Sequence, residues 1–110
     1  MHEYSIALTI TQTALDTAAG RKISKVSVSI GALSAVFEDS LRMYLEMLLE
    51  EQGSPGVVVV ATHVAAKCRC QCGNVYEIVK FGETCSLCDS FTREIIDGKE
   101  CFVESIEVEE

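Results

Sequence analysis

The sequence predicts an α+β fold in which two helices pack on a small mixed three-stranded sheet, with a cysteine-rich ribbon inserted before the last strand. Three observations predict it. Two stretches space their apolar residues as helices do, three others have the alternation or β-branched content of strands, and five of the six cysteines lie within residues 67–90. Residues 1–65 and 99–110 are therefore predicted to form one α+β domain, and residues 66–98 the ribbon.

The first helix is predicted over residues 3–19, because apolar side chains recur there at steps of three and four. Gly20 suits the position just past the end of this helix, where a left-handed backbone is common. The predicted inward face, widened by Ile6 and Ile10, consists of Tyr4, Ala7, Leu8, Thr11, Leu15 and Ala18.

A strand and a second helix follow. Residues 25–30 alternate between valine or isoleucine and polar side chains, which predicts a half-buried strand. Glu38, Asp39 and Ser40 are suited to the start of a helix, which Gly53 to Gly56 ends. The predicted apolar face of this helix consists of Leu41, Tyr44, Leu45, Leu48 and Leu49.

Two more strands complete the predicted sheet. The valine run at residues 57–60 predicts a strand that is central or covered on both faces. The last strand, at residues 101–108, is predicted to place Phe102, Ile106 and Val108 on one side. Cys101 is predicted to be a small buried apolar residue. His63 lies in an apolar stretch, which favours a structural histidine with satisfied hydrogen bonds.

The cysteines form two close clusters, which favours a metal site. Tetrahedral Zn²⁺ takes four thiolates at about 2.3 Å, two from each of two tight turns. Cys85 and Cys88 have the usual two-residue gap, whereas the first cluster offers a gap of one residue or of three before Cys72. Cys72, Cys85 and Cys88 are thus predicted ligands of a structural Zn(II). The fourth is Cys70 or Cys68, with Cys70 preferred because the shorter gap keeps a tight turn.

Two other uses of these cysteines are weighed against zinc. A disulfide framework needs an oxidising compartment, but the chain begins without the basic and apolar regions of a signal peptide, so the cytoplasm is expected. Iron held by the four thiolates, as in a rubredoxin-like electron carrier, would make the protein coloured and redox-active. The crowding of five cysteines into one segment favours zinc.

Charge, hydropathy and motifs argue against nucleic-acid binding, membrane insertion and enzymatic activity. Nine Lys and Arg stand against seventeen Asp and Glu, giving a formal charge of −8. Nucleic-acid binding requires a basic surface, so it is not expected; a protein partner or a metal cation suits this surface better. No apolar run is long enough to span a membrane. We find no Ser/His/acid or Cys/His arrangement, so the chain is not predicted to be an enzyme.

The amino terminus offers a second metal site. The terminal amine and the imidazole of His2 are both good ligands for Ni²⁺ or Cu²⁺. The intervening amide nitrogens can lose their protons and complete a planar set of four nitrogens. On this feature alone, a histidine at position two is more often just a polar residue before a helix.

Several segments together resemble the HypA/HybF family of [NiFe]-hydrogenase maturation proteins. The resemblance spans nearly the whole chain in the order of the family. It is carried by Met1-His2-Glu3-Tyr4-Ser5, Ile30-Gly31-Ala32-Leu33-Ser34, the paired cysteine clusters and Ser105-Ile106-Glu107-Val108-Glu109. The first cysteine cluster departs from the family, whose members commonly have a two-residue gap there.

The resemblance implies a cytoplasmic nickel metallochaperone that delivers Ni(II) to the hydrogenase large subunit with the GTPase HypB. It implies that Met1, His2 and Glu3 hold nickel, with Glu38 as a further candidate, and that the cysteines hold structural zinc. The first domain would then be the nickel-binding one, in a monomer or weak dimer without nucleic-acid or membrane partners. The alternative is a zinc-ribbon protein-interaction domain without a specific nickel role.

Overall fold

The structure, a computed structural model, describes residues 2–79 and 82–110. Its helices and strands confirm the predicted α+β fold, with two helices and two small three-stranded sheets. In chain order the elements are α1 (Glu3–Ala18), β1 (Ile23–Gly31), α2 (Glu38–Glu51), β2 (Val58–Val64), β3 (Ala66–Cys70), β4 (Val75–Ile78), β5 (Arg93–Asp97) and β6 (Cys101–Val108).

The first sheet has the strand order β2-β1-β6 and is mixed, as predicted. β1 pairs with β2 in parallel and with β6 antiparallel. The parallel pair requires a crossover connection, which α2 supplies. Ile30 is the register partner of His63, so the carboxyl ends of β1 and β2 lie side by side. The second sheet, with the order β4-β3-β5, is antiparallel and carries Cys68 and Cys70 on β3.

The main core lies between the first sheet and the two helices, which contact each other. Each fully buried aliphatic side chain contributes about 1.5–3 kcal/mol relative to an exposed one. The largest fully buried aliphatic side chains are Ile23, Val26, Val28, Leu41, Leu45 and Leu49. The predicted inward face of α2 is therefore largely correct.

The predicted inward face of α1 is partly wrong. Ile10 and Ala14 are buried in the core, whereas Tyr4 and Leu8 are 45% and 44% exposed. Apolar residues occur on more than one side of this helix, and only its contacts with α2 and β6 select the buried side. The buried side includes the small residues Ala7, Ala14 and Ala18.

Two strand predictions are also wrong. β2 is an edge strand and not a covered one: Val58 is 56% and Val60 38% exposed. β-Branched residues favour any strand, so a valine run does not reveal the position of that strand in the sheet. Phe102 is 49% exposed, whereas Ile106 and Val108 pack against the core. A β-bulge opposite the Ser27–Val28 step of β1 reverses the alternation of β6 between these residues.

Two glycines lie in close contact where the sheets are joined. A Cβ atom on Gly31 would lie 2.3 Å from the carbonyl oxygen of Gly98. The N–H of Gly31 donates to the carbonyl oxygen of Glu100 at 2.9 Å. The N–H of Leu33 donates to the carbonyl oxygen of Gly98 at 2.8 Å. The segment after β1 is therefore fixed to the connection between β5 and β6.

No helix in the described part of the chain is long and apolar enough to cross a membrane.

The contact between the glycines predicts that Gly31→Ala destabilises the fold. We expect the free energy of unfolding to fall by about 3 kcal/mol, because the added methyl group overlaps backbone atoms that cannot rotate away. Gly20→Ala is the control. Its site has a positive φ of 88° but open space around it, so its cost should be about 1 kcal/mol. Urea denaturation followed by circular dichroism measures both, and equal losses would contradict the prediction.

Candidate metal centres

Four cysteines converge at one end of the second sheet. The Sγ atoms of Cys70, Cys72, Cys85 and Cys88 all lie within 4.8 Å of one another. Cys70 and Cys85 are buried, whereas Cys72 and Cys88 are exposed. All six cysteines of the chain are free thiols. The arrangement offers a metal ion four sulfur ligands.

Two hydrogen-bonded turns present these thiols. The first follows β3: the N–H of Cys70 donates to the Asn74 carbonyl at 2.8 Å, and that of Gly73 donates to the Cys70 carbonyl at 2.9 Å. Gly73 has a φ of 93°, which glycine adopts at little cost. In the second turn the N–H of Asp89 donates to the Cys85 carbonyl at 2.8 Å.

The sulfur spacing fits a tetrahedral ion. Metal–sulfur bonds of about 2.3 Å in a tetrahedron place the sulfurs about 3.8 Å apart. The sulfurs of Cys70 and Cys88 are 3.2 Å apart, and those of Cys72 and Cys85 are 3.7 Å apart. Small side-chain adjustments would thus accommodate the ion. The donor set and its spacing fit a closed four-thiolate metal site.

The thiols of this cluster differ in acidity. The Asn74 side-chain amide and the Leu87 N–H both donate to Cys85 and lower its pKa to about 6. Contact with the Cys70 thiol raises the pKa of Cys88 to about 12. Closely spaced thiolates repel one another, so without a cation they do not all ionise together. A bound cation removes this repulsion, and its binding releases protons.

Cys68, the alternative to Cys70 in the sequence analysis, lies outside the cluster. It is fully buried, and its thiol donates to the Tyr76 carbonyl at a sulfur–oxygen distance of 3.6 Å. Alternation along β3 places Cys68 and Cys70 on the same buried face, but only Cys70 reaches the turn.

At the amino terminus, Met1 lies outside the described residues, and His2 occupies the N-cap position of α1 without a side-chain capping hydrogen bond. The imidazole Nε2 of His2 donates to the carbonyl oxygen of Ser34 at 3.1 Å. A carbonyl oxygen can only accept, so in the neutral ring the proton is on Nε2 and Nδ1 keeps its lone pair. Nδ1 is also the ring nitrogen nearer the backbone of His2. The ring can therefore offer Nδ1 to a metal ion.

Glu3 contributes its side chain to the fold. It is only 4% exposed, and its Oε2 accepts the N–H of Phe37 at 3.1 Å. This bond ties the start of α1 to the segment before α2. The first backbone N–H groups of an α-helix have no intrahelical acceptor, so a metal can engage a nitrogen there without breaking the helix.

Glu38, the further candidate for nickel, interacts with two side chains. Its Oε1 accepts the Nε2 proton of His63 at 2.5 Å, and its Oε2 accepts a proton of Arg42 at 2.5 Å. The hydrogen bond from His63 has the larger effect and that from Arg42 the smaller, and together they hold the pKa of the Glu38 carboxyl below its ordinary value. Both carboxylate oxygens are thus already engaged.

His63 differs from its prediction as a structural histidine of an apolar strand. Its hydrogen bond is satisfied, but its side chain is 62% exposed at the end of an edge strand. The sequence offered no signal for this position, because the end of β2 at Val64 is known only from the structure.

Comparisons with known proteins point to one family. The family model described as "Hydrogenase/urease nickel incorporation, metallochaperone, hypA" matches residues 1–108. A hydrogenase maturation factor HypA from Dehalococcoides mccartyi is 32% identical over 114 residues, covering 100% of this chain and 96% of the relative. The corresponding factor from Caldanaerobacter subterraneus subsp. tengcongensis is 36% identical over 115 residues, covering 99% and 100%.

Solved structures show the same fold. The solution structure of the Ni metallochaperone HypA from Helicobacter pylori matches with a TM-score of 0.73 and 24% identity, covering 98% of this chain and 97% of that chain. At this identity the match speaks for the fold alone.

The geometry of the cysteine cluster predicts different effects for two neighbouring substitutions. Cys70→Ala should lose most of the bound metal after dialysis against a chelator, because it removes one of four converging sulfurs. Cys68→Ala should retain the metal and cost only about 1 kcal/mol in stability. Elemental analysis of both proteins measures the difference, and equal metal loss would contradict the prediction.

Proposed function

The chain belongs to the HypA family of hydrogenase/urease nickel-incorporation metallochaperones, and on that premise we propose that it binds Ni(II) at its amino terminus and delivers it to the [NiFe]-hydrogenase large subunit. The observation that carries this proposal is the orientation of His2. Its Nε2 is held by the Ser34 carbonyl, which leaves Nδ1 available as a ligand.

The proposed nickel ligands are nitrogens. They are the amine of Met1, the backbone nitrogens of His2 and Glu3, and Nδ1 of His2. Nitrogen donors in a plane suit the electron count of Ni²⁺. The buried Glu3 carboxylate, held by the Phe37 N–H, supports a role for the backbone and not for the side chain of Glu3. Nickel is the cargo, so its site must release as well as bind.

We propose that the cysteine cluster holds structural zinc through Cys70, Cys72, Cys85 and Cys88. Four thiolates close the coordination sphere and leave no open position for a reaction. Residues 66–98 would then be a zinc ribbon, and residues 1–65 with 99–110 the nickel-binding domain. The two sites differ in purpose: the zinc stays, whereas the nickel leaves.

The proposed partners are the GTPase HypB and the hydrogenase large subunit, in the cytoplasm. The formal charge of −8 favours partners that present basic surfaces or cations. No catalytic step is assigned to this chain. Its role is to hold nickel in a form that a partner can take by exchanging one ligand at a time.

Nickel titration of untagged protein with its native amino terminus tests the proposal. We expect wild-type protein to bind about one nickel and His2→Ala to bind at least tenfold more weakly, with zinc content unchanged in both. Acetylation of the amino terminus is a second test. It removes the terminal amine as a ligand, leaves His2 in place and should also weaken binding. Equal nickel binding by all three proteins would favour a zinc-ribbon interaction domain instead.

Acid should release nickel before zinc. Amine, imidazole and amide nitrogens bind nickel only when deprotonated, so protons compete with nickel as the pH falls. Cys85, with its pKa lowered to about 6, stays a thiolate further into acid than an ordinary thiol, which favours zinc retention. Both metals are counted after dialysis at stepwise lower pH. Nickel retention that stays flat from neutrality into acid would contradict the proposed nitrogen ligands.

A further inference from the structure

A pocket of about 430 Å³ opens beside the amino terminus, with a histidine from each of two distant parts of the chain in its lining. His2 comes from the start of α1, and His63 comes from the end of β2. The rest of the lining comes from residues 30–32 and 35–37. The pocket can admit a hydrated metal ion.

The pairing of the strands places His63 there. It is the register partner of Ile30 in the parallel pair, one residue before the end of each strand. The segment after β1 turns back over this edge, and the N–H of Ala32 donates to the Val64 carbonyl at 2.8 Å. His63 therefore lies beside the same segment whose Ser34 carbonyl holds His2.

The two imidazoles are held in the same manner. Nε2 of His2 donates to a carbonyl oxygen, and Nε2 of His63 donates to the Glu38 carboxylate. Within residues 2–79 and 82–110, neither Nδ1 atom takes part in a hydrogen bond. A histidine whose second nitrogen donates to a carboxylate is a recurrent arrangement around protein-bound metals, because it fixes the ring and raises its basicity.

Glu38 is itself held in place. Arg42 donates to its Oε2 at 2.5 Å, and the same guanidinium donates to the Val59 carbonyl of β2. The carboxylate thus connects α2 to the strand that carries His63. With both oxygens engaged, Glu38 is better placed to orient His63 than to bind an ion.

We propose that His63 is a further nickel-contacting residue, which binds the ion through Nδ1 from across the pocket, with Glu38 as its positioning residue. The inference rests on the proposed function, since it assumes that nickel binds beside His2. Imidazole is a favoured ligand of nickel. Because His63 is 62% exposed, its side chain can adjust when the ion arrives. A second imidazole would complete the coordination or retain the ion while another ligand is exchanged.

His63→Ala in protein with the native amino terminus tests the proposal. We expect one nickel still to bind, but about tenfold more weakly in competition with a chromogenic chelator. X-ray absorption at the nickel edge should show two imidazole ligands in the wild type and one in the variant. Thr62→Ala is the matched control, since Thr62 is also exposed and adjacent in β2. Unchanged affinity and an unchanged imidazole count in His63→Ala would overturn the proposal.

A double-mutant cycle separates positioning from direct binding by Glu38. If Glu38 acts through His63, Glu38→Ala weakens nickel binding in the wild type but adds nothing to His63→Ala. Glu38→Gln should recover part of the affinity, because its amide oxygen can still accept the His63 proton. If the losses of nickel affinity in Glu38→Ala and His63→Ala add in full in the double variant, the positioning role of Glu38 is overturned.

The His2 variant keeps the two proposals distinguishable. If His2→Ala abolishes nickel binding while His63→Ala leaves it intact, the proposed function stands and the role of His63 is refuted. If His2→Ala binds nickel as the wild type does, the proposed amino-terminal site itself fails. Zinc content and the circular dichroism spectrum of every variant establish that the fold is intact.

Discussion

Residues 31–37, the last residue of β1 and the segment that follows it, connect the amino terminus to the two sheets through hydrogen bonds. The first of these residues bond to Val64, Gly98 and Glu100, the connections that lead into and out of the second sheet. The carbonyl oxygen of Ser34 accepts the Nε2 proton of His2, and the backbone N–H of Phe37 donates to the carboxylate of Glu3. A segment of seven residues thus fixes both the amino terminus and the cysteine-bearing sheet. The close contact of Gly31 with Gly98 explains why a side chain is not accommodated at this junction.

The two candidate metal centres differ as their proposed purposes require. The cysteine cluster is built from two tight turns, with two of its four sulfurs buried, and offers a closed set of soft ligands. The proposed amino-terminal site uses nitrogens near the chain end, beside an open pocket that His2 and His63 line. A site whose four coordination positions are all taken by thiolates leaves no free position for an entering ligand, whereas an open site lets a partner displace ligands one at a time. The proposed retention of one metal and delivery of the other would thus depend on geometry as well as on ligand type.

The charged groups around the two candidate metal centres also differ. Glu3 and Glu38 place carboxylates near the amino-terminal pocket, where the positive end of the α1 dipole would otherwise disfavour a cation. Both carboxylates also form hydrogen bonds within the protein, so they provide a favourable electrostatic environment without needing to bind the ion. In the cysteine cluster the thiols depend on a cation, because their mutual repulsion opposes ionisation without one.

Local patterns in the sequence determined the two helices, the strand character of the first sheet and the cysteine ribbon, because apolar periodicity and cysteine spacing are properties of neighbouring residues. The resemblance of scattered motifs identified the family. Tertiary structure alone decided which side of α1 is buried, that the valine run is an edge strand, and that a bulge turns Phe102 outward. It also brought Cys70 and not Cys68 to the cluster, and placed His63 near His2. These outcomes depend on contacts between residues distant in the chain, which no local pattern encodes.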